Sequence, residues 1–195
     1  LIALVGIMTS CSGATEKEVT KTKTHEKSVY SHSDFMYDGK ISWNSSYSDV
    51  IKAYGNAYVG LLDGRTILWY ETPIVWGITE GYTFEEMQIR FDQETGRIKN
   101  IIVCSKNYGK DRTSYAVKQM NKDIKESLIA KYGEPTTDHQ YGQTLWENVY
   151  AETIIDATWA GEDNGSGFTT IIYTNNHDYS KEEKFSDLPT PTPEP

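Results

Sequence analysis

The chain has 195 residues, enough for one ordinary domain or two small ones, and its 19 Lys and Arg against 28 Asp and Glu leave a formal charge of −9 with no basic stripe, which argues against a nucleic-acid partner. A hydrophobic share of 37% and a mean hydropathy of −0.58 predict long solvated stretches, whereas a 12% aromatic share with 14 Tyr and 5 Trp predicts a Tyr-rich core between them. Two Cys cannot build a disulfide scaffold, and no apolar run reaches the roughly 18 residues that span a bilayer.

Residues 1–8, LIALVGIM, are apolar and give way at once to Thr9-Ser10-Cys11-Ser12-Gly13. An apolar run closed by small residues and Cys resembles the lipobox of bacterial lipoproteins, with Met8 in the place of the usual Leu and Ser10 just before the Cys. The resemblance implies that 1–11 is a partial signal peptide, lacking its basic start, and that Cys11 carries a diacylglycerol holding the protein on the extracytoplasmic face of a cell membrane. Two acyl chains anchor stably where one does not. Residues 12–38 are rich in Ser, Thr, Glu and Lys and predict a disordered tether, with His25 and His32 solvated.

A folded domain is expected over 39–177. Ser45 or Ser46 suits an N-cap, Asp49 stands three residues after Ser46 as in a capping box, Tyr47, Val50, Ile51 and Tyr54 share one helical face, and Gly55 stops the helix. Strand-like runs follow at 65–71, 82–91 and 97–105. In the second of these Met87, Ile89 and Phe91 alternate with polar residues, and Asp92–Gly96 turns the chain into the third. A second helix is expected over 113–133, with Val117, Met120, Ile124 and Leu128 as its apolar stripe and Gly133 and Pro135 as its stop. Strand-like runs at 143–150, 152–160 and 168–174 follow, the last two joined by the turn 162–167. Leu68-Trp69 and Leu145-Trp146 read as matching places in two halves. The expected class is α+β: two tandem helix–strand–strand–strand repeats with the helices on one face of an antiparallel sheet.

This tandem pattern, carried by Trp43, Ser46, Val50, Tyr54, Gly55, Tyr132, Gly133, Trp146 and Tyr173, resembles the β-lactamase-inhibitor-protein-like fold over about 41–174, to which small outer-membrane assembly lipoproteins of the SmpA/OmlA type are related. The inhibitor-like fold implies a protein partner. A shared fold does not by itself transfer a function.

Reaction chemistry is thin in the sequence. There is no Gly-x-Ser-x-Gly, Ser-x-x-Lys, His-x-x-x-His or Cys-x-x-Cys, and no phosphate-binding loop, so neither metal nor cofactor is expected. Cys104 reads as a small buried hydrophobe in a strand, with His139 as its one conceivable base within the domain. Carboxylates at Glu80, Glu85, Glu86, Asp92 and Glu94 arise readily in so acidic a chain, and 162–166 lacks calcium-loop spacing.

The surplus is aromatic. Trp69, Tyr70, Trp76, Tyr82, Trp146, Tyr150 and Trp159 lie on or near strands, and Trp69 and Tyr70, being adjacent, must face opposite ways. Most of such a set fills a core, but exposed members are favoured anchors in binding surfaces. The expected function is therefore non-catalytic: a lipid-anchored extracytoplasmic domain that binds an envelope or extracellular protein through an open aromatic and acidic sheet face. A carbohydrate-binding module or an envelope hydrolase using clustered carboxylates are the alternatives. Residues 178–195 read as a polar then Pro/Thr-rich tail, its last eight residues stiffened as polyproline II.

Overall fold

The computed structural model describes residues 28, 30–71, 86–105, 114–139, 142–160 and 168–189. In chain order they form β1 (Met36–Tyr37), β2 (Ile41–Ser42), α1 (Tyr47–Tyr54), β3 (Tyr58–Leu62), β4 (Arg65–Tyr70), β5 (Glu86–Asp92), β6 (Ile98–Cys104), α2 (Ser114–Tyr132), β7 (Thr137–His139), β8 (Gln143–Glu147), β9 (Thr153–Ala160) and β10 (Phe168–Asn175).

Both helices form for the reasons their sequences give. At α1 the Ser46 hydroxyl accepts from the Asp49 amide at 3.2 Å while the Asp49 carboxylate accepts from the Ser46 amide at 2.9 Å, so two otherwise orphaned donors are satisfied together. Gly55 at φ +84° and Gly133 at φ +82° end α1 and α2, each donating its amide back to the carbonyl four residues earlier.

The expected class is overturned by the sheet. The described fold is mostly β: eight antiparallel strands in one continuous sheet, ordered β3-β4-β5-β6-β10-β9-β8-β7, with two α-helices, instead of two helix–strand–strand–strand repeats. The reading of 65–71, 82–91 and 97–105 as the first half's strands missed β3, whose Tyr-Val-Gly-Leu-Leu does not alternate and is not buried on either side. It also missed β7, a polar three-residue strand. The two Leu-Trp pairs do not match either. In β4 Leu68 is buried and Trp69 turns outward, whereas in β8 Trp146 is buried and Leu145 is half-exposed. Their registers differ by one residue, which sends every side chain to the other face.

The core lies on one side of the sheet. Leu68, Met87, Ile89, Phe91, Ile101, Trp146, Ile155, Ile171 and Tyr173 from the strands meet Val50 of α1 and Met120, Ile124 and Leu128 of α2. Trp146 is fully buried, and its indole N–H donates to the Gly133 carbonyl at 2.8 Å, fastening β8 to the end of α2.

Both ends of the expected domain lie further out than 39 and 177. Phe35 and Tyr37, placed by the sequence in the tether 12–38, are core residues 1% and 2% exposed. The Phe35 ring stacks on Trp43 with centroids 4.1 Å apart, and Tyr30 forms an isolated bridge with Tyr150. After β10 the chain stays on the domain. Tyr179 is buried, the Phe185 amide donates to the Thr95 carbonyl at 2.9 Å, and the Asp187 carboxylate accepts from the Ser48 amide at 2.9 Å.

Candidate docking surface

Strand pairing fixes which side chains share the face turned away from the core. Cross-strand partners in an antiparallel sheet lie on the same side. One row therefore runs Tyr58, Trp69, Gln88, Ile102, Ile172, Asp156, Leu145 across β3, β4, β5, β6, β10, β9 and β8. A neighbouring row runs Gly60, Ile67, Arg90, Asn100, Thr174, Ile154, Glu147. Its middle is polar and internally bonded. Arg90 donates to Gln88 at 2.8 Å, Gln88 to Glu86 at 2.7 Å, Asn100 to Thr174 at 3.1 Å and Gln143 to Asp156 at 2.8 Å.

The β3 end of this surface differs in kind. Tyr58 and Leu62 on this face are 63% and 50% exposed, Trp69 opposite Tyr58 is 38% exposed, and Val59 and Leu61, which pair with Leu68 and Thr66 on the other face, are still 38% and 55% exposed. β3 is the terminal strand of the sheet, so one of its edges has no strand partner among the described residues. Natural edges are usually blunted by charge, proline or a bulge; Tyr58–Leu62 has none of these.

The seven aromatic candidates divide sharply. Trp69 lies on the outer face. Tyr70, its neighbour, faces the core, its hydroxyl donating to the Gly55 carbonyl at 3.1 Å and its pKa pushed up to about 12 by burial. Trp146 is core. Trp159 is half-buried against the core, its indole N–H donating to Thr144 at 3.1 Å. Tyr150 is half-buried between Tyr30 and Phe35, with centroids 5.4 Å from each. Trp76 and Tyr82 lie outside the described residues, as do Cys11, Glu80, Glu85 and the turn 162–167. The structure thus brings Trp69 to the outer face, adds Tyr58 and Leu62 there, and leaves Val59 and Leu61 exposed on the other side of the same edge strand; the sequence reading passed over all four because β3 carries no alternation.

The candidate chemistry fares poorly on geometry. Burial raises the Cys104 thiol above its ordinary value, which keeps it protonated, and its polar neighbour is Thr170. His139 stands on β7, four strands away from β6, or roughly 19 Å at the usual strand spacing. It cannot act as base for Cys104. Asp92 is committed to its own turn, where its carboxylate accepts from the Thr95 amide at 2.8 Å. Glu86 and Asp156 are three strands apart, about 14 Å, well beyond the separation of paired glycosidase carboxylates. Glu147 and Asp156 are diagonal neighbours on β8 and β9, and Asp156 holds the Gln143 amide. Among the described residues no cluster of three His, Cys, Asp or Glu is placed to hold a metal ion, and no helix is long and apolar enough to cross a membrane.

No protein family, no curated protein and no solved structure matches the chain. What the surface can do has to be read from its own residues.

Proposed function

We propose that the chain is a non-catalytic binding domain, held by lipid on Cys11 at the extracytoplasmic face of a bacterial cell membrane. It takes an extended segment of a protein partner along β3. The observation that carries this reading is the terminal strand itself: five uncharged residues, mostly apolar and exposed, on an edge with no strand partner among the described residues, beside an outward-facing Trp. Main-chain groups on such an edge give affinity to any extended peptide, and side chains at alternate positions give selectivity. Here Tyr58 and Trp69, which are cross-strand partners on one face, supply an aromatic wall at the strand's start. The net charge of −9 favours a partner segment with basic flanks.

The anchor and the edge are tested separately. Cys11→Ala is expected to move the protein from the membrane fraction to the medium; a variant that stays on membranes removes the anchor. Leu61→Lys places a charge on the exposed edge without touching the core. With a photo-crosslinking residue at Val59, the adduct formed in intact cells is expected to fall at least tenfold in the Leu61→Lys background, with an unchanged melting temperature. An equal adduct in both backgrounds, or the same adduct from a crosslinker at Gln119 on α2, would sink the edge reading.

A further inference from the structure

The C-terminal segment 176–188 is fastened to the domain by a group of ionisable side chains drawn from distant parts of the chain. His177 sits at its centre. Its Nδ1 meets the Glu152 carboxylate from the turn before β9, and its Nε2 meets the Glu182 carboxylate at 2.7 Å. A neutral imidazole has one N–H and can donate to one carboxylate; only the imidazolium can donate to both. The geometry therefore selects the charged ring.

A second imidazole lies on top of it. The His32 ring, in the turn before β1, is stacked on His177 with centroids 4.5 Å apart. Its neutral tautomer is fixed by Asn175. The Asn175 amide N donates to the Ile98 carbonyl at 2.9 Å, and its oxygen accepts the His177 backbone N–H at 3.1 Å, so the amide cannot be turned round. That oxygen is 2.8 Å from His32 Nε2, which must then carry a hydrogen. Nδ1 is left as the basic nitrogen of a neutral ring. The pair is one charged and one neutral imidazole, face to face.

We propose that His32, His177, Glu152 and Glu182 form a pH-set clasp that holds segment 176–188 on the sheet and is weakened by both alkali and acid. In alkali His177 loses its proton and one of its two carboxylates is left facing a lone pair. In acid His32 gains a proton and two stacked imidazolium rings repel. The other charges around the pair do not reverse this. Arg97, just before β6, binds Glu182 at 3.2 Å and keeps that carboxylate in place. Lys99 donates to the Asn175 carbonyl at 2.6 Å. Asp178 is adjacent to His177 on its own segment, and Asp92 and Glu94 come from the β5–β6 turn. These three carboxylates, with Lys99 and His177, line the adjoining pocket of about 200 Å³. Tyr179, in edge contact with both rings at 4.5 and 5.8 Å, stays neutral.

The shifts agree in sign with the geometry. His177 is raised above 6.5, first by its bond to Glu152, and His32 is lowered below 6.5, first by burial. A raised His contributes stability that is complete below 6.5 and fades as pH climbs through its folded value. A lowered His contributes stability that is present above 6.5 and fades as pH falls through its folded value. The clasp is therefore firmest near pH 6.5.

The test uses the whole protein without its lipid. Nitrogen-15 NMR of the histidine rings is expected to show, at pH 6.5, His177 protonated at both nitrogens and His32 neutral with hydrogen on Nε2. Hydrogen exchange of 176–188, corrected for the intrinsic pH dependence, is expected to rise severalfold from pH 6.5 to 8.5 and again from 6.5 to 4.5, bounded by tenfold per unit for one proton. His177→Gln should flatten the alkaline limb and His32→Gln the acid limb. A His177 that titrates at or below 6.5, a His32 protonated on Nδ1 in its neutral form, or exchange that is flat with pH would each overturn the clasp. The ring titrations decide the matter even where a variant folds poorly.

Discussion

Trp43→Ala is expected to destabilise the domain by about 3–5 kcal/mol, the usual cost of removing a buried Trp side chain. Trp43 is fully buried, and three structural features depend on it. Its ring is the floor on which Phe35 stacks, with planes only 8° apart. Its indole N–H donates to the Thr153 hydroxyl at 2.8 Å, which ties β2's end to β9. It also stands 6.4 Å from the His32 ring. Truncation removes the ring on which Phe35 stacks, leaving it only its edge and tilted contacts with Tyr150 and Tyr173, and loosens the segment 35–43 on the sheet. A loss of this size is a large part of the 5–15 kcal/mol that holds an ordinary domain together. Urea unfolding measures it, and Trp43→Phe separates the terms. Phenylalanine keeps the stack and loses the hydrogen bond, so about 1 kcal/mol is expected there. Thr153 keeps a 3.5 Å contact to the Ala151 carbonyl, so the change leaves no orphaned hydroxyl. Equal unfolding midpoints for wild type and Trp43→Ala would mean that 30–43 is not part of the folded unit.

That segment also marks where the sequence stops being readable. The helices are legible because their signals are local: a capping box at 46–49, a stop at Gly55, an apolar stripe closed by Gly133. β5 is legible because Met87, Ile89 and Phe91 report one buried face through strict alternation. Phe35, Tyr37, Tyr179 and Phe185 are single aromatics in polar surroundings, and nothing near them announces burial. They are ordered by partners far away in the chain: Tyr173 for the first two, Arg97 for the last two.

The candidate surface was half legible for a similar reason. That Trp69 and Tyr70 face opposite ways follows from strand geometry, but which of them is outside depends on register against β3 and β5. Leu68-Trp69 and Leu145-Trp146 look alike as dipeptides, yet their tryptophans end on opposite faces. The edge itself was invisible. A five-residue strand without alternation, two of whose neighbours are Asp63 and Gly64, reads as part of a turn until its pairing with β4 is seen.

Gly96→Ala is expected to release the C-terminal segment while leaving the sheet intact. Gly96 closes the β5–β6 turn at φ +70°, where an L side chain costs about 1–2 kcal/mol in backbone strain alone. A methyl group there would also stand 2.9 Å from the Phe185 Cβ and inside the contact distance of its carbonyl oxygen. One of the two must move. The turn is held by the Gly96 amide on the Asp92 carbonyl at 2.8 Å, the Asp92 amide on the Arg97 carbonyl at 2.9 Å, and the Asp92 side chain on Thr95. Among the described residues, segment 178–188 has one backbone–backbone bond to the rest of the domain, from Phe185 to Thr95, so it is the part that lifts. With it go both rings that enclose the Arg97 guanidinium, Tyr179 at 4.4 Å and Phe185 at 4.3 Å, and the bond from Arg97 to the Glu183 carbonyl at 3.1 Å. Hydrogen exchange is expected to accelerate throughout 178–188 while the amides of β5, β6 and β10 keep their protection. Because the cause is steric, this release should be nearly independent of pH, unlike the loosening produced by titrating His177. A Gly96→Ala protein whose C-terminal amides remain as protected as the wild type's would show that the turn, not the segment, yields, and that the contact with Phe185 is not what holds 176–188 in place.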